Sequence, residues 1–453
     1  MTNFDFGVGV NNSTANQILA TIYNKLRTQM FKGQHEVVGP GGINVSVKWN
    51  VEETPVLKFS PPTKKDAENR VEAYLSEQND IPKEVQQNRN EYVSSLANAM
   101  VTSCFELSLP KVKLSASTME GIVEWKETLG ISVLIQLQVE NGTLIIKPLR
   151  ANAKGSSKEI EWAVNEVLLP AVLELVRSML PPVTIPSIEL PVVSLTPPLP
   201  LITKGNAVGL MNQIQHGIPT PAIDYNWPES LFFILLKPTL IADVANKILA
   251  GENRQFGIPS GEFDWALGKL SYEASATISN LRLEPSSIPT EFVFNANLNG
   301  IAKCVAEPLP IIGIFPSFGV NYKIEPIGGA VRGKVGVKIE GNKVVVTTIN
   351  VEPIGLAITP TGSFIEWVIS AVTAPLLQII TNGFVPILTT FLEGISINIL
   401  DVPDVSIPID EQTIIVKPQT LTLGSHLGAV AVKGGISVEL VSNNKPVYQN
   451  ETT

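Results

Sequence analysis

The feature that most constrains the fold of this chain is a segment that occurs twice. Residues 156–182 read SSKEIEWAVNEVLLPAVLELVRSMLPP, and residues 362–380 read GSFIEWVISAVTAPLLQII. Both contain the tripeptide Ile-Glu-Trp, and a proline follows at the same offset in each, as Pro170 and Pro375. Because the spacing is far longer than that of a solenoid repeat, the similarity indicates a duplicated domain.

Each copy predicts a long, bent helix. Ser156 and Glu159 have the spacing of a capping box, in which the two side chains satisfy backbone N–H groups of the first turn. Ser363 and Glu366 have the same spacing in the second copy. The proline inside each copy removes an intrahelical hydrogen bond and therefore predicts a kink. The second copy is apolar almost all round, which predicts a helix that a sheet covers on all sides.

A β-hairpin is predicted before each of these helices. In the first half, two alternating runs flank Asn141-Gly142, which is a strong hairpin signal. In the second half, GKVGVKIE and KVVVTTINV flank Gly341-Asn342 in the same way. Extended, proline-spaced segments follow the two helices from Thr184 and from Asp401. Each repeat therefore runs from a hairpin through a capped, kinked helix to an extended tail.

A further helix is predicted near the start of the chain, with Ser13 or Thr14 as its cap. Residues 231–249 are predicted to be its counterpart in the second half. The apolar side chains of the first of these helices fall four residues apart, which is helical spacing. They are Ile18, Ile22, Leu26 and Met30.

Composition along the chain predicts the domain boundaries. We expect a first domain over residues 1–200, a Pro/Gly-rich linker over 201–228, a second domain over 229–440 and a flexible tail over 441–453. Within the first domain, residues 61–92 are polar and charged, which predicts a solvated helical excursion or a loop.

Charge and composition limit the classes of partner. The chain has 453 residues, of which 44% are hydrophobic, and a net charge of −9 with a pI near 5.1. This acidity argues against nucleic acid as a partner and against broad electrostatic binding to anionic membranes. The N-terminal residues have no basic region followed by an apolar stretch, so no signal peptide is expected. We expect a cytoplasmic protein or one exported by a non-classical route.

No catalytic or metal-binding pattern is present in the sequence. The three histidines, His35, His216 and His426, are scattered, and the two cysteines, Cys104 and Cys304, are far apart. Two buried free thiols are the expected state of these cysteines. The motifs of zinc proteases, serine hydrolases and P-loop proteins do not occur. We therefore expect a protein that is not an enzyme and that has no cofactor.

Residues 364–392 are long and apolar enough to span a bilayer. Pro375, Pro386 and the Asn-Gly pair at 382–383 argue against a spanning helix, and the first copy carries charged residues at the corresponding positions. We therefore predict no stable membrane span.

Over residues 13–440 the chain resembles the tubular lipid-binding (TULIP) superfamily, in its branch related to bactericidal permeability-increasing protein. The resemblance rests on the duplication, the helix and hairpin order and the extended tails, without a signature motif. Because no signal peptide is expected, the chain resembles bacterial members from clostridial toxin gene clusters more than secreted members of the superfamily. The resemblance implies an elongated α+β protein with two tandem units, each a long kinked helix wrapped by a highly twisted antiparallel sheet.

The resemblance also implies an apolar tube in each unit, which binds, or binds and transports, a lipid or another hydrophobic small molecule without catalysis. A stripe of Ile, Leu and Val is more often ordinary core than a ligand pocket. The alternative function is a structural or assembly protein of a toxin or secretion system, with the TULIP shape as a scaffold for a protein partner. The candidate lining residues are Ile18, Ile22, Leu26, Val164, Leu168, Leu175, Val368, Val372 and Ile379.

Overall fold

The computed structural model of the chain describes residues 4–38, 42–59, 63–77, 83–118, 124–141, 143–154, 176, 183–184, 190–196, 198–203, 207–212, 227–265, 268–308, 318–361, 366–409 and 412–442. Its helices are α1 (Asn12–Met30), α2 (Lys64–Glu77), α3 (Lys83–Gln87), α4 (Arg89–Ser103), α5 (Pro238–Leu249) and α6 (Glu366–Glu393). Most of the remaining described residues form antiparallel strands.

The strands lie in three sheets. In chain order they are β1 (Phe6–Asn11), β2 (Lys32–Val38), β3 (Asn44–Val51), β4 (Val56–Lys58), β5 (Cys104–Thr118), β6 (Glu124–Glu140), β7 (Thr143–Lys154), β8 (Val183–Thr184), β9 (Leu199–Thr203), β10 (Ala207–Asn212), β11 (Phe232–Leu236), β12 (Arg254–Trp265), β13 (Gly268–Pro285), β14 (Glu291–Pro308), β15 (Phe318–Pro326), β16 (Val331–Glu340), β17 (Lys343–Val351), β18 (Leu356–Thr361), β19 (Ser396–Asp401), β20 (Val405–Ile409), β21 (Gln412–His426) and β22 (Ala429–Ser442).

Two curled sheets belong to the two halves of the chain. The first has the order β2-β3-β5-β6-β7-β8, with β4 beside β5. The second has the order β12-β13-β14-β16-β17-β19, and β15 joins β14 to β18. Each sheet packs its apolar face on a separate core, and α1 contributes to the first core, whereas α5 and α6 contribute to the second. The fold is therefore α+β and mostly antiparallel sheet.

A third sheet contains strands from both halves. Its order is β20-β21-β22-β11-β1-β10-β9, so the first strand of the chain lies beside β11 and is two places from β22. β1 leads into α1, and β11 leads into α5, each before a curled sheet begins. The order strand, helix, curled sheet therefore occurs twice.

The two predicted hairpins are confirmed. β6 pairs with β7 up to Glu140 and Thr143, and β16 pairs with β17 up to Glu340 and Lys343. Two residues close each turn. Asn141 has a φ of 50° and Gly341 a φ of 61°. Asn and Gly adopt such positive φ values more readily than other residues, which explains why these dipeptides mark hairpins.

Helix α1 is confirmed, but its predicted cap is wrong. The Thr14 backbone N–H donates to Oδ1 of Asn11 at 2.8 Å, so Asn11 is the N-cap. The Thr14 hydroxyl instead donates to the Leu231 carbonyl at 2.8 Å and ties α1 to the start of β11. Several neighbouring residues at the start of α1 could cap a helix. Thr14 is not the cap because its hydroxyl is bonded to the Leu231 carbonyl.

The predicted helix at residues 231–249 needs a correction. Residues Phe232–Leu236 form the buried strand β11, and helix α5 begins only at Pro238. All five side chains of β11 are buried. A strand buried on both faces is a continuous apolar run, which periodicity cannot distinguish from a buried helix. Pro238 starts the helix because its fixed φ suits the first helical turn.

The polar insertion over 61–92 is helical where the structure describes it, as predicted. It contains α2, α3 and the first residues of α4. Arg89 donates to Oε2 of Glu72 from Nε at 2.9 Å and from Nη2 at 2.6 Å. Val71, Leu75 and Val93 form a small buried cluster between α2 and α4. The insertion therefore has a helix pair with its own packing.

The duplicated helices can be compared only in part. In the first copy the structure describes Val176 alone, which is helical and fully buried. The capping serines, Ser156 and Ser363, lie outside the described residues. In the second copy α6 runs from Glu366 to Glu393 with Pro375 and Pro386 inside it. The kink at the proline remains a prediction.

Glycines allow aromatic rings to lie across neighbouring strands of the curled sheets. At Gly333, an added Cβ would lie 2.5 Å from the Asn350 carbonyl oxygen and would collide with the Phe294 ring. Glycine at such a site brings a ring against the next strand and increases the local twist. The glycine–aromatic cross-strand pairs are Gly33 with Trp49, Gly261 with Tyr272 and Gly333 with Phe294.

We predict that Gly333→Ala lowers the free energy of unfolding by about 1–3 kcal/mol, because the new methyl group overpacks the site. Gly424→Ala is the matched control, since Gly424 also lies in a strand but has open space where a Cβ would be. The control should change the free energy by less than about 0.5 kcal/mol. Urea unfolding of both variants measures the difference, and equal losses would contradict the close approach at Gly333.

Candidate functional site

Helix α6 closes the second curled sheet. It contacts the edge strand β12, and also β17 and β18. Its buried side chains recur at every fourth residue, and each is at most 1% exposed. They form a single stripe that packs into the core of the second half: Val372, Leu376, Ile380, Phe384, Leu388 and Leu392.

The opposite side of α6 is exposed, which corrects the prediction of a helix covered on all sides. Gln378, Asn382, Pro386 and Thr390 are exposed, and Ile387 is 38% exposed. The strands contact the helix from one side only, so a single stripe can be buried. No charged residue occurs between Glu366 and Glu393, so the helix is apolar in composition but one-sided in its packing.

The described contacts between α6 and β12 are apolar, aromatic or cation–π. A Cβ on Gly383 would lie 2.5 Å from Cγ2 of Ile258, so the helix backbone approaches the strand closely there. Further along, the Phe391 and Phe256 ring centroids are 5.4 Å apart, and Arg254 Cζ lies 5.3 Å from the centroid of the Phe391 ring. We call this contact between α6 and β12 the α6–β12 seam.

The other side of α6 has polar contacts as well. The Thr348 hydroxyl of β17 donates to the Leu392 carbonyl at 2.5 Å. Burial raises the pKa of the Tyr322 phenol of β15, against a smaller opposite effect of Thr373. The Thr348 hydrogen bond attaches α6 to β17. The α6–β12 seam is therefore the side with the less directional contacts.

Residues Val372–Glu393 are long and apolar enough to cross a membrane, with a mean hydropathy of 1.4 in their most apolar window. Only 28% of this window is buried in the protein. A spanning helix would have to withdraw the whole buried stripe from the core, at a cost of roughly 1.5–3 kcal/mol for each large apolar side chain if these became exposed to water. That no stable span forms remains our prediction.

The α1 residues predicted from the sequence lie in the first core. Ile22 and Leu26 are buried there, and Ile18 is partly buried against it. The first-copy helix residues Val164, Leu168 and Leu175 lie outside the described residues. In a tube or in a core these α1 positions have the same apolar neighbours, so their role as ligand contacts remains a prediction.

The α6 residues predicted from the sequence lie in the second core. Val372 belongs to the buried stripe, and Ile379 is partly buried beside it. The side chain of Val368 lies outside the described part of the helix. The prediction named Val372 and Ile379 but not the other buried residues of the stripe, which lie between them and after them in α6. The signal was available, because a large apolar residue occurs at every fourth position from Val372 to Leu392.

The cysteines are buried free thiols, as predicted. Cys104 begins β5 and Cys304 lies towards the end of β14, which are the third strands of their sheets in pairing order. Burial raises the pKa of the Cys304 thiol to about 11. Among the described residues no three His, Cys, Asp or Glu side chains are placed to share a metal ion.

The stripe predicts unequal effects at two adjacent residues of α6. Leu388→Ala should lower the free energy of unfolding by about 2–5 kcal/mol, because it removes a fully buried side chain. Ile387→Ala is the neighbouring control and should cost less than about 1 kcal/mol, since Ile387 is 38% exposed. Thermal or urea unfolding compares them. A larger loss of stability in Ile387→Ala than in Leu388→Ala would contradict the orientation of α6, in which Leu388 faces the core and Ile387 faces solvent.

Because both cysteines are buried, we predict that their thiols do not react in the native protein. With a pKa of about 11, Cys304 is almost entirely protonated at pH 8, and a thiol reagent attacks only the thiolate. Both thiols should therefore react only after unfolding in denaturant, which a chromogenic disulfide reagent measures. Because folding raises this pKa, the stability that Cys304 contributes is fully present below its unfolded value of about 9 and falls as pH rises towards 11. Rapid labelling of Cys304 in the folded protein would contradict its burial.

Comparison with known proteins finds similar structures but no similar sequence. No protein-family model and no curated protein matches the sequence. P47 of Clostridium botulinum E1 matches in structure with a TM-score of 0.51 and 10% identity, over 96% of this chain and 100% of that chain. P47 from Clostridium botulinum A2 has a TM-score of 0.47, 8% identity and coverage of 96% and 97%. A lipopolysaccharide binding protein has a TM-score of 0.30, 10% identity and coverage of 96% and 99%.

At 10% identity the match to P47 of Clostridium botulinum E1 concerns the fold and extends over nearly the whole of both chains. The duplicated order of strand, helix and curled sheet agrees with the resemblance that the sequence suggested. The chain therefore has a TULIP-like fold.

Proposed function

We propose that this protein binds a lipid or another hydrophobic molecule, without catalysis, between α6 and the second curled sheet. The observation that carries the proposal is the packing of α6. This helix has no charge over the 26 residues between Glu366 and Glu393, yet it is buried along a single stripe and lies across the apolar face of a curled sheet. The partly buried apolar side chains beside this stripe are the surface that we propose for a ligand.

The energetics of this binding require no specific polar contact. Each CH₂ group that leaves water contributes about 0.8 kcal/mol, so an acyl chain of ordinary length can be held by apolar contact alone. Ile379, Val385 and Phe391 flank the stripe and are partly buried, so they are placed to contact such a chain. The predicted lining residues Val372 and Ile379 belong to this site, and Ile18, Ile22 and Leu26 are proposed for the corresponding site of the first half.

The ligand enters, in this proposal, at the α6–β12 seam. The described contacts at this seam are apolar, aromatic and cation–π, whereas a hydrogen bond from Thr348 holds α6 to β17. Opening the seam exchanges apolar contacts of the protein for apolar contacts of the ligand. Opening the other side would break the hydrogen bond from the Thr348 hydroxyl to the Leu392 carbonyl, a net loss of about 0.5–1.5 kcal/mol.

A scaffold for protein assembly, in a toxin or secretion system, is the second candidate function. The six-residue stripe of α6 favours it, because the protein's own side chains fill the core where the stripe packs. A filled core leaves the outer surface, including the helical insertion, for a protein partner. A test of the function must therefore separate ligand entry from a permanently filled interior.

A disulfide across the α6–β12 seam provides this test. A Cβ on Gly383 would lie 3.4 Å from Cβ of Ile258, close to the mean separation of about 3.8 Å in disulfides. In a Gly383→Cys, Ile258→Cys variant, oxidation should reduce uptake of a fluorescent fatty acid at least tenfold. Reduction of the same sample should restore uptake, because α6 can then move away from β12.

The reduced variant is the internal control, and the single Gly383→Cys variant controls for oxidation of other groups. Cys104 and Cys304 are buried, so the new pair is the one available to the oxidant. Uptake at the same rate in the oxidised and reduced forms would contradict entry at the seam. Absence of uptake by the unmodified protein would contradict the binding function and favour the scaffold.

A further inference from the structure

Arg254 lies at one end of the α6–β12 seam. It is the first residue of β12 and is exposed, whereas Phe256 is partly buried and Ile258 is buried. Alternate residues of a strand point to the same face, and all three of these side chains contact α6. The row that β12 presents to the helix therefore changes from apolar to cationic towards the start of the strand.

The partners of this row on α6 lie in the matching order. Ile258 approaches the helix backbone at Gly383. Phe256 and Arg254 both contact Phe391, near the end of the helix. From Gly383 to Phe391 the helix rises by about 12 Å. From Arg254 to Ile258 the strand extends by about 13 Å. The described seam is therefore about as long as both elements predict, with a guanidinium at one end.

The charge of Arg254 is not neutralised within the described part of the chain. Its Cζ lies over the Phe391 ring, 5.3 Å from the ring centroid. The ring has no net charge, so this contact positions the guanidinium and leaves its positive charge in place. Glu252 before β12 and Glu393 at the end of α6 are exposed, and neither forms an ion pair with Arg254.

A guanidinium that lies over an aromatic ring keeps its hydrogen-bond donors. Arginine has five N–H groups in one plane, in a fork that matches two oxygens of a carboxylate or a phosphate. Such charge-assisted, bidentate hydrogen bonds are stronger than bonds between neutral groups. An anionic group at this end of the seam can therefore bind Arg254 through these donors.

The rest of the seam suits a single acyl chain. Beyond Arg254 its described contacts are made by Phe256, Ile258, Phe391 and the helix backbone at Gly383, all of them apolar or aromatic. The hydrocarbon core of a bilayer is about 30 Å thick, so one acyl chain in one leaflet spans about 15 Å. This length is close to that of the seam. A narrow apolar contact with one cationic end matches a molecule with one apolar chain and one anionic head.

We propose that Arg254 selects, for this site, a single-chain amphiphile with an anionic head, either a carboxylate or a phosphate. The inference rests on the proposed function, because it concerns a ligand that enters between α6 and β12. The guanidinium binds the head, and the chain lies along the row towards Ile258. Arg254 is then a specificity-determining residue, which decides between hydrophobic molecules that the apolar contacts alone would bind equally.

Displacement of the neutral fluorescent probe N-phenyl-1-naphthylamine by dodecanoate, dodecyl phosphate and 1-dodecanol tests the proposal, because the three compounds differ only in the head. We expect at least one of the two anions to displace the probe at a concentration at least about tenfold lower than dodecanol, since it gains charge-assisted hydrogen bonds. A preference between the anions assigns the head to a carboxylate or to a phosphate.

The R254Q variant should lose this difference between the anions and dodecanol. R254K should retain part of it, because an ammonium group keeps the charge but lacks the fork. R332Q is the matched control and should keep the full difference. Arg332 is an exposed strand residue of the same sheet, and β13 and β14 separate its strand from β12.

The possible failures of this inference and of the proposed function are distinguishable. Displacement by all three compounds at equal concentrations overturns the role of Arg254 and leaves the binding function intact. An R254Q variant that weakens all three compounds equally also overturns it, since Arg254 would then act only through its packing on Phe391. Absence of binding by the probe and by all three compounds in calorimetric titration of the unmodified protein contradicts the proposed function, and this inference with it.

Discussion

The antiparallel pair formed by β1 and β11 is the interaction on which the rest of the structure depends. Val8 lies opposite Ile234, and Phe6 opposite Leu236, in the middle of a sheet that also takes in β10 and β22. At one end of the pair, Lys237 donates its backbone N–H to the Asp5 carbonyl at 2.9 Å and its ammonium to the Asp5 carboxylate at 3.2 Å. Since α1 and α5 begin directly after these strands, one pair positions the starts of both halves.

The second constraint is the mismatch between the composition of α6 and its packing. A helix without charges over 26 residues is typical of a fully buried element, yet among its described residues a single stripe of six reaches the core. The hydrophobic-ligand proposal gives a use to the partly buried apolar side chains beside this stripe. In that proposal the Thr348 hydrogen bond on the β17 side leaves the α6–β12 seam as the side that opens.

Local signals predicted the local structure well. Asn141-Gly142 and Gly341-Asn342 mark hairpins because positive φ is available to these residues, and the four-residue spacing in α1 indicates its helix. The duplication, being visible in the sequence, led to the correct fold class. These features depend on residues that are close together in the chain.

What the sequence did not reveal depends on distant pairing. β11 was interpreted as helix, because a five-residue apolar run has no distinguishing period. The one-sided burial of α6 was missed for a related reason, since composition does not show how many sides of a helix the strands contact.

Native mass spectrometry of the purified protein, with solvent extraction and lipid analysis of the same sample, tests the central claim most directly. If α6 and the second sheet enclose a hydrophobic ligand, the protein should carry an apolar adduct in near-stoichiometric amount, and the extract should contain its acyl chains. A mass equal to that of the polypeptide alone, with no lipid taken up after incubation with labelled vesicles, would contradict the claim.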